Sequence, residues 1–327
     1  MSKILIIYHK EDNDGVISAA IIDYCIHDDP EDIIEYLGVD YNDLKTIDEK
    51  TIDTWYSIYN FIILTDISLN ENLMSYLYTK FGTNVAWFDH HKPIIESSFK
   101  YGFSEMKGLR DINHSAILNA YIYNVQLNNI LPLNKDKIKI PEMFKILSAY
   151  DSWTFKQEGY DGDYVKKINL AVTVDLDLDI EKAKKFVHKI IKELYDNNEQ
   201  PTIDNYLTTG NIIFKYNEFN NKTIIKSFAD DSFTIDNKPI ITLFMQGGTN
   251  STMFEYVKNI NPEIQHGAVF KHKKDGWILS LYNIYDNCDF DCGQYLKEKY
   301  NGGGHKGAAG CTLSEQQFIE IYNAKTI

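Results

Sequence analysis

Three short apolar runs each stop abruptly at acid or imidazole, and this pattern constrains the fold more than any other feature. Residues 4–8 run into His9-Lys10-Glu11-Asp12-Asn13-Asp14-Gly15, residues 61–64 into Thr65-Asp66, and residues 85–88 into Asp89-His90-His91. Unbroken apolar runs of this length mark strands covered on both faces, as in a parallel sheet. With a fourth run at 33–37 they alternate with segments of helical period at 16–26 and 69–81. Such repetition predicts a doubly wound α/β sheet. Further helices are expected at 116–124 and at 142–150, the latter opening beside Pro141. In an open parallel sheet the loops after these strands emerge on the carboxyl edge, where ligands bind.

The chemistry expected there follows from the residue types. A fourth acid, Asp151, closes the helical segment Ala149-Tyr150-Asp151-Ser152-Trp153 and is framed by aromatics. Taken singly, an Asp after a strand serves as a helix cap or turn residue, and His90 as a half-buried histidine. Gathered on one edge, these groups repel one another strongly unless cations sit among them. A mixed carboxylate and imidazole set suits Mn²⁺, with Mg²⁺, Fe²⁺ or Zn²⁺ as alternatives. Two ions about 4 Å apart, bridged by one carboxylate and a water, would supply hydroxide at neutral pH and clamp a phosphoryl oxygen. Lys10 and Glu11 are read as solvated loop residues.

Beyond residue 175 the pattern changes. A lysine-rich amphipathic stretch at 180–197, ending in Asp-Asn-Asn, reads as a connecting helix between two lobes that face a cleft. Strands are expected at 211–216, 223–228, 240–245, 268–271 and 277–282, and helices near 252–259, 292–300 and 314–322. The expected organisation is therefore a larger catalytic domain over 1–175, a linker helix region over 176–210 and a smaller α/β domain with a mixed sheet over 211–327. The length of 327 residues is ample for two cores.

Charge and cysteine usage narrow the functional classes. The chain carries 33 basic against 47 acidic side chains, a net charge of −14, which argues against a protein that coats duplex DNA. It does not exclude an enzyme that handles phosphate through bound metal. Residues 1–50 hold 13 acids against 4 lysines, so the acid is concentrated around the first strand end. Cys25, Cys288, Cys292 and Cys311 make no disulfide framework, and Cys288 with Cys292 lacks a second pair for zinc. No apolar window is long enough to span a membrane, and the sequence enters its first strand without a leader-like segment, so a cytoplasmic location is expected.

The His9 to Gly15 segment, Asp66, Asp89-His90-His91 and Asp151 resemble, in order and spacing, the four motifs of the DHH phosphoesterase superfamily. Gly302-Gly303-Gly304-His305-Lys306-Gly307-Ala308-Ala309-Gly310 resembles the glycine-rich signature of the DHH-associated substrate domain, so the likeness runs from residue 9 to 310. The resemblance implies one metal held by His9, Asp12 and Asp66 and a second held by Asp14, Asp66, His90 and Asp151. It further implies that Asp89 orients the triplet and that His91 meets the substrate phosphate as hydrogen-bond donor or general acid.

In the glycine-rich loop, the lack of side chains lets backbone approach a ligand, with His305 placed to stack on or hydrogen-bond a terminal base or phosphate. A tight turn between helix and strand explains the glycines equally well. Where many relatives carry an Arg-Ser pair on the preceding strand, this chain reads Leu281-Tyr282-Asn283, and Tyr282 is the candidate for stacking on a base. Arg110, the chain's single arginine, is read as a phosphate ligand or as half of a surface ion pair with an acid such as Asp111.

The expected activity is Mn²⁺-dependent hydrolysis of short single-stranded oligonucleotides to nucleoside monophosphates, by a monomer or homodimer. The alternatives are a phosphatase for 3′-phosphoadenosine 5′-phosphate, a hydrolase of cyclic or linear dinucleotides, and a non-catalytic nucleotide sensor. Processive exonucleases and family II inorganic pyrophosphatases fit less well, for want of a basic channel and because of the 302–310 signature respectively.

Overall fold

The computed structural model describes residues 2–26, 31–128, 139–246, 251–254, 256–274, 276–285, 287–304 and 306–327. They fall into two compact units, Met1–Ile213 and Phe214–Ile327.

The first unit runs β1 (Lys3–His9), α1 (Asn13–Ile26), β2 (Ile33–Val39), α2 (Glu49–Ile58), β3 (Phe61–Thr65), α3 (Glu71–Phe81), β4 (Val85–Phe88) and α4 (Lys92–Tyr101). It continues through α5 (Ala116–Asn128), α6 (Glu142–Asp151), α7 (Gly162–Leu176), α8 (Ile180–Asp196) and into α9 (Gln200–Phe228). The four strands form one parallel sheet in the order β2-β1-β3-β4. Alternation along β1 explains its unbroken apolar run. Ile4, Ile6 and Tyr8 pack with α1 and α5–α8 on one face, while Leu5 and Ile7 join α2 and α3 on the other. Both faces are covered, as a parallel sheet requires.

Register positions the site. Tyr8 pairs with Thr65 and Thr65 with Phe88, so His9, Asp66 and Asp89 each lie one residue beyond a common row. Three distant segments are thereby set abreast at the carboxyl edge. Asp66 has φ +56° and Trp153 φ +57°, both in the left-handed region.

The second unit contains β5 (Asp230–Ile235), β6 (Lys238–Met245), α10 (Val257–Ile260), β7 (His266–Lys273), β8 (Gly276–Asn283), α11 (Cys292–Tyr300), β9 (Gly303–Gly304), β10 (Ala308–Leu313) and α12 (Glu315–Ala324). Its sheet has the order β5-β6-β7-β8-β10-β9, with β6 and β7 parallel and the other pairs antiparallel. The mixed sheet is as expected, and the fold class is that of two α/β units.

Two expectations for the middle of the chain are corrected. The stretches 211–216 and 223–228 are not strands but parts of the 29-residue helix α9. The stretch 180–197 is helical, yet α8 is no free connector, because Phe186, Val187, Ile190 and Ile191 are buried in the core of the first unit. Near the start of α9, Gly210 lies so close to α7 that a Cβ there would sit 1.9 Å from the Lys167 carbonyl oxygen. The boundary between the units falls within α9.

Candidate metal centre

The loop after β1 turns at once into α1, and Gly15 makes that turn possible. A Cβ on Gly15 would lie 2.1 Å from the carbonyl oxygen of His9, so only glycine lets the helix start against the strand it follows. Asp12 accepts the Gly15 N–H at 3.0 Å. Asn13 donates to Asn169 Oδ1 and Thr173 Oγ1, tying the first turn of α1 to α7. Asp14 is buried, and its two oxygens accept the N–H groups of Ala116 and Ile117 at 2.8 and 2.9 Å, satisfying the open end of α5. One carboxylate thus caps a helix while its Oδ2 stays 3.7 Å from His90 Nε2.

Asp66 is the hub. Its Oδ2 is 3.5 Å from His9 Nδ1, its Oδ1 is 3.4 Å from His90 Nε2, and the residue is 2% exposed. On one side His9 Nδ1 meets Asp12 Oδ2 at 2.7 Å. On the other, His90 Nε2 meets Asp151 Oδ2 at 3.1 Å. Three groups have ligand atoms within 4.8 Å of one another: His9-Asp12-Asp66, Asp14-His90-Asp151 and Asp66-His90-His91. All seven side chains singled out in the sequence as ligands or as the phosphate-facing histidine are therefore brought together.

Asp89 is fully buried and organises the triplet. Its Oδ1 accepts the backbone N–H groups of His90 and His91 and bonds His91 Nδ1 at 2.7 Å, while its Oδ2 accepts Trp87 Nε1 at 2.9 Å. Burial works against the charge on Asp89, but these bonds outweigh it and hold the carboxyl below its ordinary range. With Nδ1 of His91 engaged by Asp89, Nε2 is the nitrogen left for another partner.

The electrostatics are those of a site built for cations. Burial opposes charge on His9, yet its hydrogen bonds to Asp12 and Asp66 push its pKa up to about 10. For His90 burial is likewise outweighed, by Asp151 and Asp66, and the pKa rises to about 12. Asp14 and Asp66 are raised, first by desolvation and then by facing other carboxylates. His9 Nε2 and Asp66 Oδ1 are buried without a hydrogen-bond partner, which is costly for polar atoms unless something else satisfies them. Orphaned ligand atoms, imidazoles pulled toward protonation and crowded carboxylates all fit divalent cations.

Other candidates are placed differently. Arg110 engages backbone carbonyls rather than Asp111. Its Nη1 donates to the carbonyls of Trp87 and Lys107, and its Nη2 to those of Ser104 and Met106, at 2.9–3.2 Å. The guanidinium also lies over the Trp87 ring, so it fastens the 104–107 loop to β4 behind Asp89. Cys292 is a buried thiol whose pKa is pushed up to about 12 by desolvation, and no metal-holding group forms around it among the described residues.

In the second unit, glycine serves the turn between α11 and β10. A Cβ on Gly302 would meet Cys311 Cβ and the Gly310 carbonyl oxygen at 2.6 Å, and Gly304 has φ +143° with Ala308 O equally close. Gly303 has open space around it. Tyr282, on β8, packs against Phe254 at 5.7 Å and pairs with Ala308. His305 lies outside the described residues. Asn283 is an unanticipated anchor, because its Nδ2 donates to the Phe290 and Lys306 carbonyls and its backbone N–H to Gly307.

Other groups near the metal centre carry no signal in the sequence. Asn119 Nδ2 donates to the Asp89, Asp111 and His114 carbonyls, and Thr65 Oγ1 to Ser18 Oγ. Buried Asn and Thr carry no distinguishing spacing. The ring of Tyr41 lies 5.4 Å from that of His9, and partial burial with the field of Asp66, Asp89, Asp12 and Asp151 pushes its hydroxyl up to about 12.

A parallel sheet presenting an acid and imidazole centre at three adjacent strand ends, joined to a second unit with a mixed sheet, defines the architectural class. No family model matches the sequence. The chain is 22% identical over 275 residues to oligoribonuclease NrnB of Bacillus subtilis, a match covering 81% of this chain and 62% of that protein. It thus spans about three fifths of the length of that curated relative. Among solved structures, the exonuclease RecJ bound to manganese aligns with a TM-score of 0.52 at 13% identity, covering 99% of this chain and 89% of that one. The DHH domain of a member of a ribosomal-protein family aligns at 0.54 and 14%, covering 99% and 85%. The chain thus shares the fold of these solved structures. Among the described residues, no helix is long and apolar enough to cross a membrane.

Proposed function

We propose that this chain is a divalent-metal-dependent phosphodiesterase that hydrolyses short oligonucleotides to nucleoside monophosphates. The observation that carries the reading is the pair of buried, unpartnered ligand atoms, His9 Nε2 and Asp66 Oδ1, inside converging carboxylates and imidazoles. His9, Asp12 and Asp66 would hold one ion, and Asp14, Asp66, His90 and Asp151 the other, with Asp66 shared. Mn²⁺ is the preferred ion for this donor set and is the one named in the RecJ structure, with Mg²⁺ as alternative. Bound there, such ions polarise phosphoryl oxygens and activate water for attack.

The remaining steps belong to the chain's own groups. His91, fixed through Nδ1 by Asp89, has Nε2 to donate to a phosphate oxygen or to the departing alkoxide. Asp89 acts as a positioning residue, holding the ring orientation and favouring its protonated form. In the second unit, the open backbone at Gly303, with Gly304, Tyr282 and His305, is proposed to contact the nucleotide. Its substrates are short single strands or nucleotides, and the net charge of −14 disfavours tracking long polyanions.

The test is product release from a panel under Mn²⁺ or Mg²⁺, with and without chelator: RNA and DNA oligomers of about 2–5 nucleotides, a long strand, 3′-phosphoadenosine 5′-phosphate and cyclic dinucleotides. Chelator-sensitive release of mononucleotides from the oligomers is expected. Turnover confined to the bisphosphate or the cyclic dinucleotides would replace the substrate, and a folded, metal-loaded but inert protein would overturn the reading.

A further inference from the structure

Two large aromatic side chains beside the metal centre have no evident role in folding. Trp153, two residues after Asp151, is 63% exposed and adopts φ +57°. A bulky residue is rare in that region, where glycine sits without strain. Its ring leans on Tyr150 at 6.4 Å and on Phe155 at 5.8 Å, leaving most of its surface to solvent. Burial therefore does not explain the strained backbone. Strain kept at a site rim points to function. Tyr41, two residues beyond β2 at the same sheet edge, is 55% exposed with its ring 5.4 Å from His9.

Their positions are complementary. Tyr41 adjoins His9, which faces Asp66 Oδ2, whereas Trp153 follows Asp151, which contacts His90, which faces Asp66 Oδ1. A phosphate held at Asp66 would have the Tyr41 ring on its His9 side, while Trp153 follows Asp151, the acid on its His90 side, by two residues. Inorganic phosphoanhydrides offer nothing for such rings to bind, whereas a nucleotide diester offers a flat base on each side of its phosphorus. We infer that Tyr41 and Trp153 are stacking platforms for the nucleobases flanking the scissile phosphate, so that base-bearing diesters are selected over bare phosphate chains. The inference rests on the phosphodiesterase reading above and names what its substrate must carry.

The test compares a dinucleotide with its abasic counterpart in the wild type and in Tyr41→Ala, Trp153→Gly and Trp153→Phe. Glycine suits φ +57°, so Trp153→Gly removes the ring without straining the chain. In the wild type the intact dinucleotide should lead in kcat/KM. Each ring deletion should cut the intact-to-abasic ratio by about 5–150-fold, the effect of losing one stacked base, and Trp153→Phe should recover most of it. A ratio near one in the wild type, or one that neither deletion moves, overturns the proposal. A second readout is independent of turnover. With chelator present, adenosine monophosphate but not ribose 5-phosphate should quench tryptophan emission, and Trp153→Phe should abolish the effect, since Trp55 and Trp87 are buried and Trp277 is stacked on Phe318. Quenching without diester cleavage would sink the phosphodiesterase reading while keeping the platform, whereas no quenching removes the platform itself.

Discussion

Asp66 shows how much one residue is asked to do at this edge. It leaves β3 with a left-handed backbone, is almost fully buried, and faces a histidine with each oxygen. Asp66→Asn keeps the shape and tolerates the same φ, so the fold should persist. Activity should fall by more than the roughly 10–100-fold typical of residues that only orient ligands, and calorimetry should show weakened binding at both proposed ion positions. Asp89→Asn belongs in that milder range, because it loosens His91 without removing a ligand; a loss as deep as that of Asp66→Asn would show that Asp89 is more than a positioning residue. Arg110 makes the opposite prediction. Four carbonyls depend on its guanidinium, so Arg110→Ala should cost about 2–4 kcal/mol in denaturant unfolding, while a selective rise in KM without that loss would return it to the substrate.

At the scale of elements, the decisive device is the tight passage from β1 into α1. Gly15→Ala would drive a methyl into the His9 carbonyl, so the start of α1 must shift and carry Asp12 and Asp14 with it. A cost of about 1–3 kcal/mol is expected, with loss of metal binding at a temperature where the protein is still folded by circular dichroism. This joint dependence also explains why the first half of the site was legible in the sequence. Strand ends, glycine and ligands lie within a few residues of one another, so local pattern and register carry the same message. Where structure rests on long-range packing the sequence was poorer. Ile212-Ile213-Phe214 and Ile224-Ile225 look like strand cores, but they continue α9, and Ile212 is 67% exposed. Only Ile52 and Trp55 of α2 are buried, too few to set a period. α7 carries Val165, Ile168, Ala171 and Val172 at helical spacing, a signal that the connector reading of the following segment obscured. Arg110 is ambiguous in sequence for another reason: a guanidinium serving backbone carbonyls looks no different there from one awaiting a phosphate.

For the whole molecule, the acid excess and the metal centre make a single electrostatic argument. With 13 acids in the first 50 residues, the first strand end lies in a negative field, and without cations the centre answers by holding protons. His9, with a pKa of about 10, and His90, at about 12, are charged at neutral pH, and Asp14 and Asp66 also hold protons more tightly than an ordinary carboxyl. Ligation needs neutral imidazole and ionised carboxylate, so each ion that binds must expel protons. The sign follows directly. Acidification stabilises the proton-loaded, metal-free form, so Mn²⁺ affinity should fall as pH drops, by about tenfold per pH unit for each proton released. As pH rises toward 10 the His9 contribution should fade, because that imidazole is then already losing its proton. Titration calorimetry at two neutral pH values, in buffers of different ionisation enthalpy, counts the protons directly. More than one released as the centre fills is the expected result. An affinity that ignores pH would mean that the ions enter somewhere other than the His9, Asp66 and His90 cluster.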